Sequence, residues 1–138
     1  MSRREFRSGG LSLTAKFEGE SLRSIQLPRN VPPEFSADDL KGMLEQLAGL
    51  PISFGGAAPF HQRVWSRLRK IPWGSAMTYA ELARAVGSPK AFRAVGQACG
   101  ANPLPLIIPC HRVLAEDGLG GFSAGLPWKE RLLELEAD

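Results

Sequence analysis

One cysteine of this chain, Cys110, is followed directly by His111 and Arg112, in the run Pro109-Cys110-His111-Arg112-Val113. A thiol reacts as its thiolate, and an imidazole next to it with a cation beyond makes an electropositive setting that favours that form. Cys110 is therefore a candidate nucleophile. Adjacency alone does not bring the two together, because neighbours in an extended segment point to opposite faces. The other cysteine, Cys99, falls in a helical stretch with Ala94, Gly96 and Ala98 and reads as a small packing residue. The chain has no C-x-x-C and no further Cys/His cluster towards its N-terminus. Neither a disulfide framework nor a structural zinc site is expected, and no metal or cofactor is implied.

Several elements must position that pair. Asn102-Pro103 reads as a turn, and Leu104 to Pro109 as an apolar extended run that delivers Cys110 at a strand end. Before it, Thr78 and Glu81 form a capping box that opens a short helix with Leu82, Ala83 and Val86 inward and Gly87 as its stop. Ser88 as cap and Pro89 at the first helical position then start a second helix, Lys90 to about Cys99. Two short helices across a tight turn make either a helix-turn-helix or an ordinary helical hairpin. The second helix carries small side chains, Ala91, Ala94, Gly96 and Ala98, with Arg93 as the one long cation among them. It lacks a set of Asn and Gln side chains of the kind that reads base edges in a major groove, so close, sequence-indifferent contact in a minor groove fits it better. Ahead of both, Phe60, Val64 and Leu68 form one stripe of a helix whose other face carries Arg63, Arg67 and Lys70.

The N-terminal part is of another kind. Leu11 to Phe17 alternates apolar and polar, and Leu22 to Leu27 is a second strand-like run, which together read as a hairpin. Ser36 and Asp39 cap a helix with Leu40, Met43, Leu44 and Leu47 at helical spacing, ending near Gly49. The Gly-, Ala- and Pro-rich stretch from Pro51 to Pro59 has the composition of a linker. The expected division is 1–58, a small α/β part, and 59–138, the part that carries the chemistry.

Composition bounds what these parts can be. At 138 residues, 43% apolar and 22% charged, the chain suits one ordinary compact unit and excludes disorder throughout. The longest uncharged runs, Leu47 to Gln62 and Ala94 to Cys110, are shorter than the roughly 20 residues a spanning helix needs. No membrane partner is expected, and Met1 to Arg7 leads into Ser-Gly-Gly rather than a secretory h-region. Between His61 and Arg112 eight basic residues face one acidic residue, Glu81, although the net charge of the whole chain is only +3. Such a segment suits phosphate binding, or is a solvated face.

Taken in order, Phe60-His61-Gln62-Arg63-Val64-Trp65, Ile71-Pro72-Trp73-Gly74, Thr78-Tyr79-Ala80-Glu81-Leu82-Ala83, Pro89-Lys90-Ala91-Phe92-Arg93-Ala94-Val95-Gly96, Asn102-Pro103, Pro109-Cys110-His111-Arg112-Val113, Gly125-Leu126 and Lys129 to Glu136 resemble the O6-alkylguanine-DNA alkyltransferases, also called methylated-DNA-protein-cysteine methyltransferases. The resemblance covers about residues 59 to 137. It implies an α+β fold: a small, truncated N-terminal hairpin-and-helix part, then a mainly helical domain with a winged-helix-like helix-turn-helix.

It also implies DNA repair by a suicide reaction, in which Cys110 accepts the alkyl group from O6 of a guanine flipped out of duplex DNA, once per molecule and without cofactor. By the same resemblance His111 acts through a water on the thiol and Glu136 orients it, Tyr79 donates a proton towards guanine N3, and Asn102 braces the turn. Arg93 is the finger that fills the vacated stack, with Ala91, Ala94 and Gly96 as the small face in the groove and Lys90 and Thr78 beside them. The pocket takes Tyr79, Pro109, Val113 and Ser123, with the loop from Gly118 to Gly125 as its rim. The partner implied is double-stranded DNA containing O6-alkylguanine, met by a monomer in the cytoplasm or nucleoid, or in the nucleus of a eukaryote. The alternative is a relative that binds such lesions without reacting, and Cys110 argues against it. A third reading, a cysteine hydrolase built on Cys110, His111 and Glu136, would turn over a small ester without DNA.

Overall fold

Strict alternation in β2, Leu11–Glu18, puts Leu11, Leu13, Ala15 and Phe17 on one buried face. In a computed structural model, which describes residues 1–29 and 31–137, β2 is the centre of a three-stranded antiparallel sheet in the order β1-β2-β3. β3 is Ser21–Gln26, as the hairpin reading expects. β1, Ser2–Ser8, is an addition, since its basic residues hide the strand pattern and only Phe6 is buried. Arg4 of β1 lies over the rings of Phe6 and Phe17 at 4.9 and 5.5 Å. Gly9, at φ +56°, makes the β1-β2 turn, where a side chain would run into Asp39.

Asp39 has a second task, because α1, Ala37–Ala48, begins at a capping box between it and Ser36. Leu40, Met43 and Leu47 close over the sheet. The Pro51–Pro59 stretch is tied down at its start, where Leu22 donates to the Pro51 carbonyl at 2.7 Å and Ser53 to the Leu22 carbonyl at 3.0 Å. Beyond it come α2, Pro59–Leu68, a short β4, Met77–Thr78, and α3, Tyr79–Ala85, whose Thr78–Glu81 capping box forms as expected.

Two local expectations are corrected here. α4 is Phe92–Gly100, starting later than the cap at Ser88 would place it. Ser88 instead accepts the Ala91 N–H at 2.9 Å, so Pro89 sits inside a turn, where its fixed φ serves equally well. Nor does Cys110 end a strand. Asn102 bonds the Leu104 N–H and the Ile108 carbonyl at 2.9 and 2.7 Å, and Leu106 takes φ +77°, which folds the apolar run back on itself. Cys110–Arg112 is a single 3-10 turn, leading into β5, Val113–Leu114, parallel to β4.

α5, Leu126–Ala137, returns across both parts with Trp128, Lys129, Leu132, Leu135 and Glu136 buried. Trp128 donates to the Pro28 carbonyl at 2.6 Å and packs on Phe35 at 5.6 Å, while Arg131 donates to the Phe35 carbonyl at 3.0 Å. Among the described residues the architecture is thus α+β, a small sheet and five helices, with one apolar cluster running from Phe6 to Leu135. No helix among them is long and apolar enough to cross a membrane.

Candidate active site around Cys110

Cys110 is 5% exposed and lies at the wall of a cavity of about 320 Å³ shared with Tyr79, Gly96, Cys99, Gly100, Gly121, Phe122 and Ser123. Four chain segments converge there: the start of α3, the body of α4, the 3-10 turn and the glycine-rich loop. Asn102 donates from Nδ2 to the Cys110 sulfur at 3.1 Å. The carbonyl of Pro103, the next residue, is held from the sheet by the Ile25 N–H at 2.8 Å. Burial pushes the Cys110 thiol above its ordinary value, and the Asn102 hydrogen bond and the Lys129 ammonium pull the other way.

His111, 1% exposed, sits 2.7 Å through Nε2 from Oε2 of Glu136. Burial pushes the Glu136 carboxyl up, but hydrogen bonds from His111 and Arg112 outweigh it and hold the group at about 2. Facing a carboxylate, Nε2 is the protonated nitrogen, so Nδ1 carries the lone pair. That Nδ1 is buried and has no hydrogen-bond partner in the protein. Burial also lowers the His111 pKa against the opposing pull of Glu136, so the ring rests neutral at neutral pH.

Arg112 is placed differently from its reading beside the cysteine. It is buried and bidentate on Glu136, Nε to Oε1 at 2.7 Å and Nη2 to Oε2 at 2.9 Å, with Nη1 on the Ile71 carbonyl at 2.7 Å. Its charge is spent on Glu136, and the cation that acts on the thiol is Lys129. Lys129 opens the last of the motifs that carry the resemblance, but nothing in the sequence assigns it a role at the thiol. Lys129 has no exposed surface, donates to the carbonyls of Val113 and Gly121 at 2.6 and 3.0 Å, and lies 6.0 Å from the Tyr79 ring centre. Burial lowers its pKa, and the two cysteines raise it.

Cys99 is also corrected. It is 7% exposed, yet it faces the cavity beside Cys110 rather than only packing within α4, and burial followed by the neighbouring thiol pushes its pKa to about 12. Tyr79 is half-buried on the opposite wall, with the loop close against it, for a side chain at Gly120, φ +74°, would come 2.9 Å from its ring. Burial raises the phenol, so it keeps its proton at neutral pH.

Of the expected pocket residues, Tyr79 and Ser123 line the cavity. Pro109 and Val113 are buried outside its walls, and the Val113 carbonyl accepts from Lys129. Of the expected groove face, Arg93 and Lys90 are exposed, and Ala91, Ala94 and Gly96 are half-buried. Ala98 has no exposed surface and leaves that face for the core. Thr78 spends its hydroxyl on the Glu81 N–H at 3.1 Å as the cap of α3. Among the described residues no group of three or more His, Cys, Asp and Glu could hold a metal ion.

Residues 59–138 match the family model for the 6-O-methylguanine DNA methyltransferase, DNA binding domain. A probable methylated-DNA-protein-cysteine methyltransferase of Acanthamoeba polyphaga mimivirus is 44% identical over 96 residues, which is 70% of this chain and 64% of that protein. The methylated-DNA-protein-cysteine methyltransferase of Haemophilus influenzae is 48% identical over 96 residues, 69% of this chain and 53% of that protein. The chain thus spans between half and two thirds of the length of these curated relatives. In three dimensions it resembles Mycobacterium tuberculosis OGT, solved in complex with DNA, with a TM-score of 0.77 and 32% identity, over 98% of this chain and 92% of that one.

Proposed function

The chain belongs to the 6-O-methylguanine DNA methyltransferase family, and from that membership we propose that it repairs DNA by moving one alkyl group from O6 of guanine onto the sulfur of Cys110. The observations that carry the reading are a buried thiol at the wall of a cavity and, on the next residue, a buried imidazole Nδ1 with no hydrogen-bond partner in the protein.

Thiol and imidazole both rest neutral, since burial disfavours either charge alone. Passing the Cys110 proton through a water to Nδ1 creates both charges together. Glu136 stabilises the imidazolium, and Asn102 with Lys129 stabilises the thiolate. Sulfur then bonds to the alkyl carbon, the carbon–O6 bond breaks, and the electron pair stays on guanine, which takes a proton at N3 from Tyr79. The product is a thioether with no group placed to cleave it, so each molecule acts once.

A guanine inside a duplex cannot reach a cavity of this kind without leaving the stack. α3 and α4, across the Gly87 turn, serve as a winged-helix-like helix-turn-helix that lays α4 in the minor groove, with Arg93 as the finger and Ala91, Ala94 and Gly96 against the groove wall. Lys90 and the basic face of α2 supply phosphate contacts, and Thr78 holds α3 in register for Tyr79. The division at 58/59 then has a functional sense: 59–138 carries the chemistry, while in 1–58 Ile25 of the sheet holds Pro103 and the segment with Pro28 and Phe35 holds α5. Position 138 lies outside the described residues. On this reading the protein acts as a monomer where DNA is, in the cytoplasm or nucleoid, or in the nucleus of a eukaryote.

Intact-mass measurement after incubation with a duplex containing O6-methylguanine tests the proposal. The expected result is a gain of one methyl in place of hydrogen, mapped to Cys110 and absent from Cys110→Ala, which still binds the lesion. A Cys110→Ala protein that removes methyl groups, or a methyl found on Cys99, overturns it.

A further inference from the structure

Phe92 is out of place for a phenylalanine of this chain. It is 53% exposed, whereas Phe6, Phe17 and Phe35 are all below 8%. It is the first residue of α4, next to Arg93, and it forms one wall of a second cavity of about 370 Å³ with Tyr79, Ala80, Ala115 and Glu116. Tyr79 belongs to both cavities, so the second lies against the acceptor site. Its lining is apolar but for the Tyr79 hydroxyl and Glu116, while Lys90 and Arg93, before and after Phe92 in the chain, are exposed.

An apolar hollow on a segment that also exposes cations suits one kind of surface, a polyanion whose inner wall is uncharged. Duplex DNA has that construction in its minor groove, where deoxyribose faces and base edges lie between two rows of phosphates. Glu116 sharpens the match, since a carboxylate at the cavity repels phosphate and admits the neutral sugar. We propose that Phe92 is a second wedge, whose ring packs on the deoxyribose and exposed base edge beside the withdrawn guanine and holds that step open while Arg93 fills the stack. This rests on the reading that α4 docks in the minor groove.

The test compares single-turnover transfer from a lesion-bearing duplex with transfer from free O6-benzylguanine, for the parent protein, Phe92→Ala, Phe92→Leu and Arg93→Ala. Phe92→Ala should lose at least about fivefold on the duplex, the low end for removing an aromatic ring stacked on a base. It should lose nothing on the free base, and Phe92→Leu should restore most of the rate. Parental duplex rates in Phe92→Ala, or equal losses on both substrates, overturn the wedge. Arg93→Ala separates the two levels of the argument. If it shows a duplex-specific loss and Phe92→Ala does not, only the wedge fails. If neither does and the parent protein binds duplex without salt dependence, the docking of α4 fails with it.

Discussion

The side chain of Asn102 reaches Cys110, Nδ2 to sulfur at 3.1 Å, while its other contacts hold the turn that carries the cysteine. One residue thus sets both where the sulfur sits and how readily it ionises. Asn102→Ala removes the donor to sulfur and leaves the buried Leu104 N–H without its acceptor, a cost of about 1–3 kcal/mol. The expected outcome is a lower unfolding midpoint in urea and slower alkylation of Cys110 by iodoacetamide at fixed pH. A variant that is less stable but equally reactive would reduce Asn102 to a turn-former.

Lys129 makes a separate electrostatic prediction. It is the cation that favours the Cys110 thiolate, and its ammonium also ties β5 to the glycine-rich loop. Lys129→Met should raise the thiol pKa, read by absorbance of the thiolate, and move the pH profile of transfer towards higher pH. A purely structural lysine would lower stability and leave that profile in place.

Acid stability follows from the Glu136 cluster. The folded pKa of Glu136, about 2, lies below its ordinary 4.5, and that of His111 lies below 6.5. Both groups bind fewer protons in the folded chain than in the unfolded one over the interval between those values. Their stabilisation is therefore complete above about pH 6.5 and is lost as pH falls towards 2. Urea melts at a series of pH values should show stability falling on acidification, and Glu136→Gln should start lower and fall less. At neutral pH that variant leaves Arg112 buried without its partner, which costs roughly 3–5 kcal/mol.

Tyr79→Phe isolates the leaving-group proton. The ring keeps its place against Gly120 and Lys129, so lesion binding should persist, while transfer should slow by about a hundredfold or more, the scale of a lost general acid. Unchanged single-turnover rates would make Tyr79 a packing residue.

Some of this molecule could be read along the chain because the physics is local. The capping boxes Ser36–Asp39 and Thr78–Glu81 join residues three apart, and the alternation in Leu11 to Phe17 has a period of two, so helices and hairpin follow from neighbours alone. The motif around Cys110 is local too, and it singled out the candidate thiol and the imidazole next to it. Interactions across the chain could not be read that way. The Ser88-Pro89 signal permits a cap or a turn, and only packing of α4 against α2 and α3 selects the turn. β1 is polar by composition and becomes a strand through pairing with β2. Arg112 looks like the cation of Cys110 in sequence, but a 3-10 turn swings it to Glu136, 24 residues on, and α5 brings Lys129 to the sulfur instead. The charge a buried thiol experiences depends on distance and solvent exclusion, and both are set only when α5 closes over the turn.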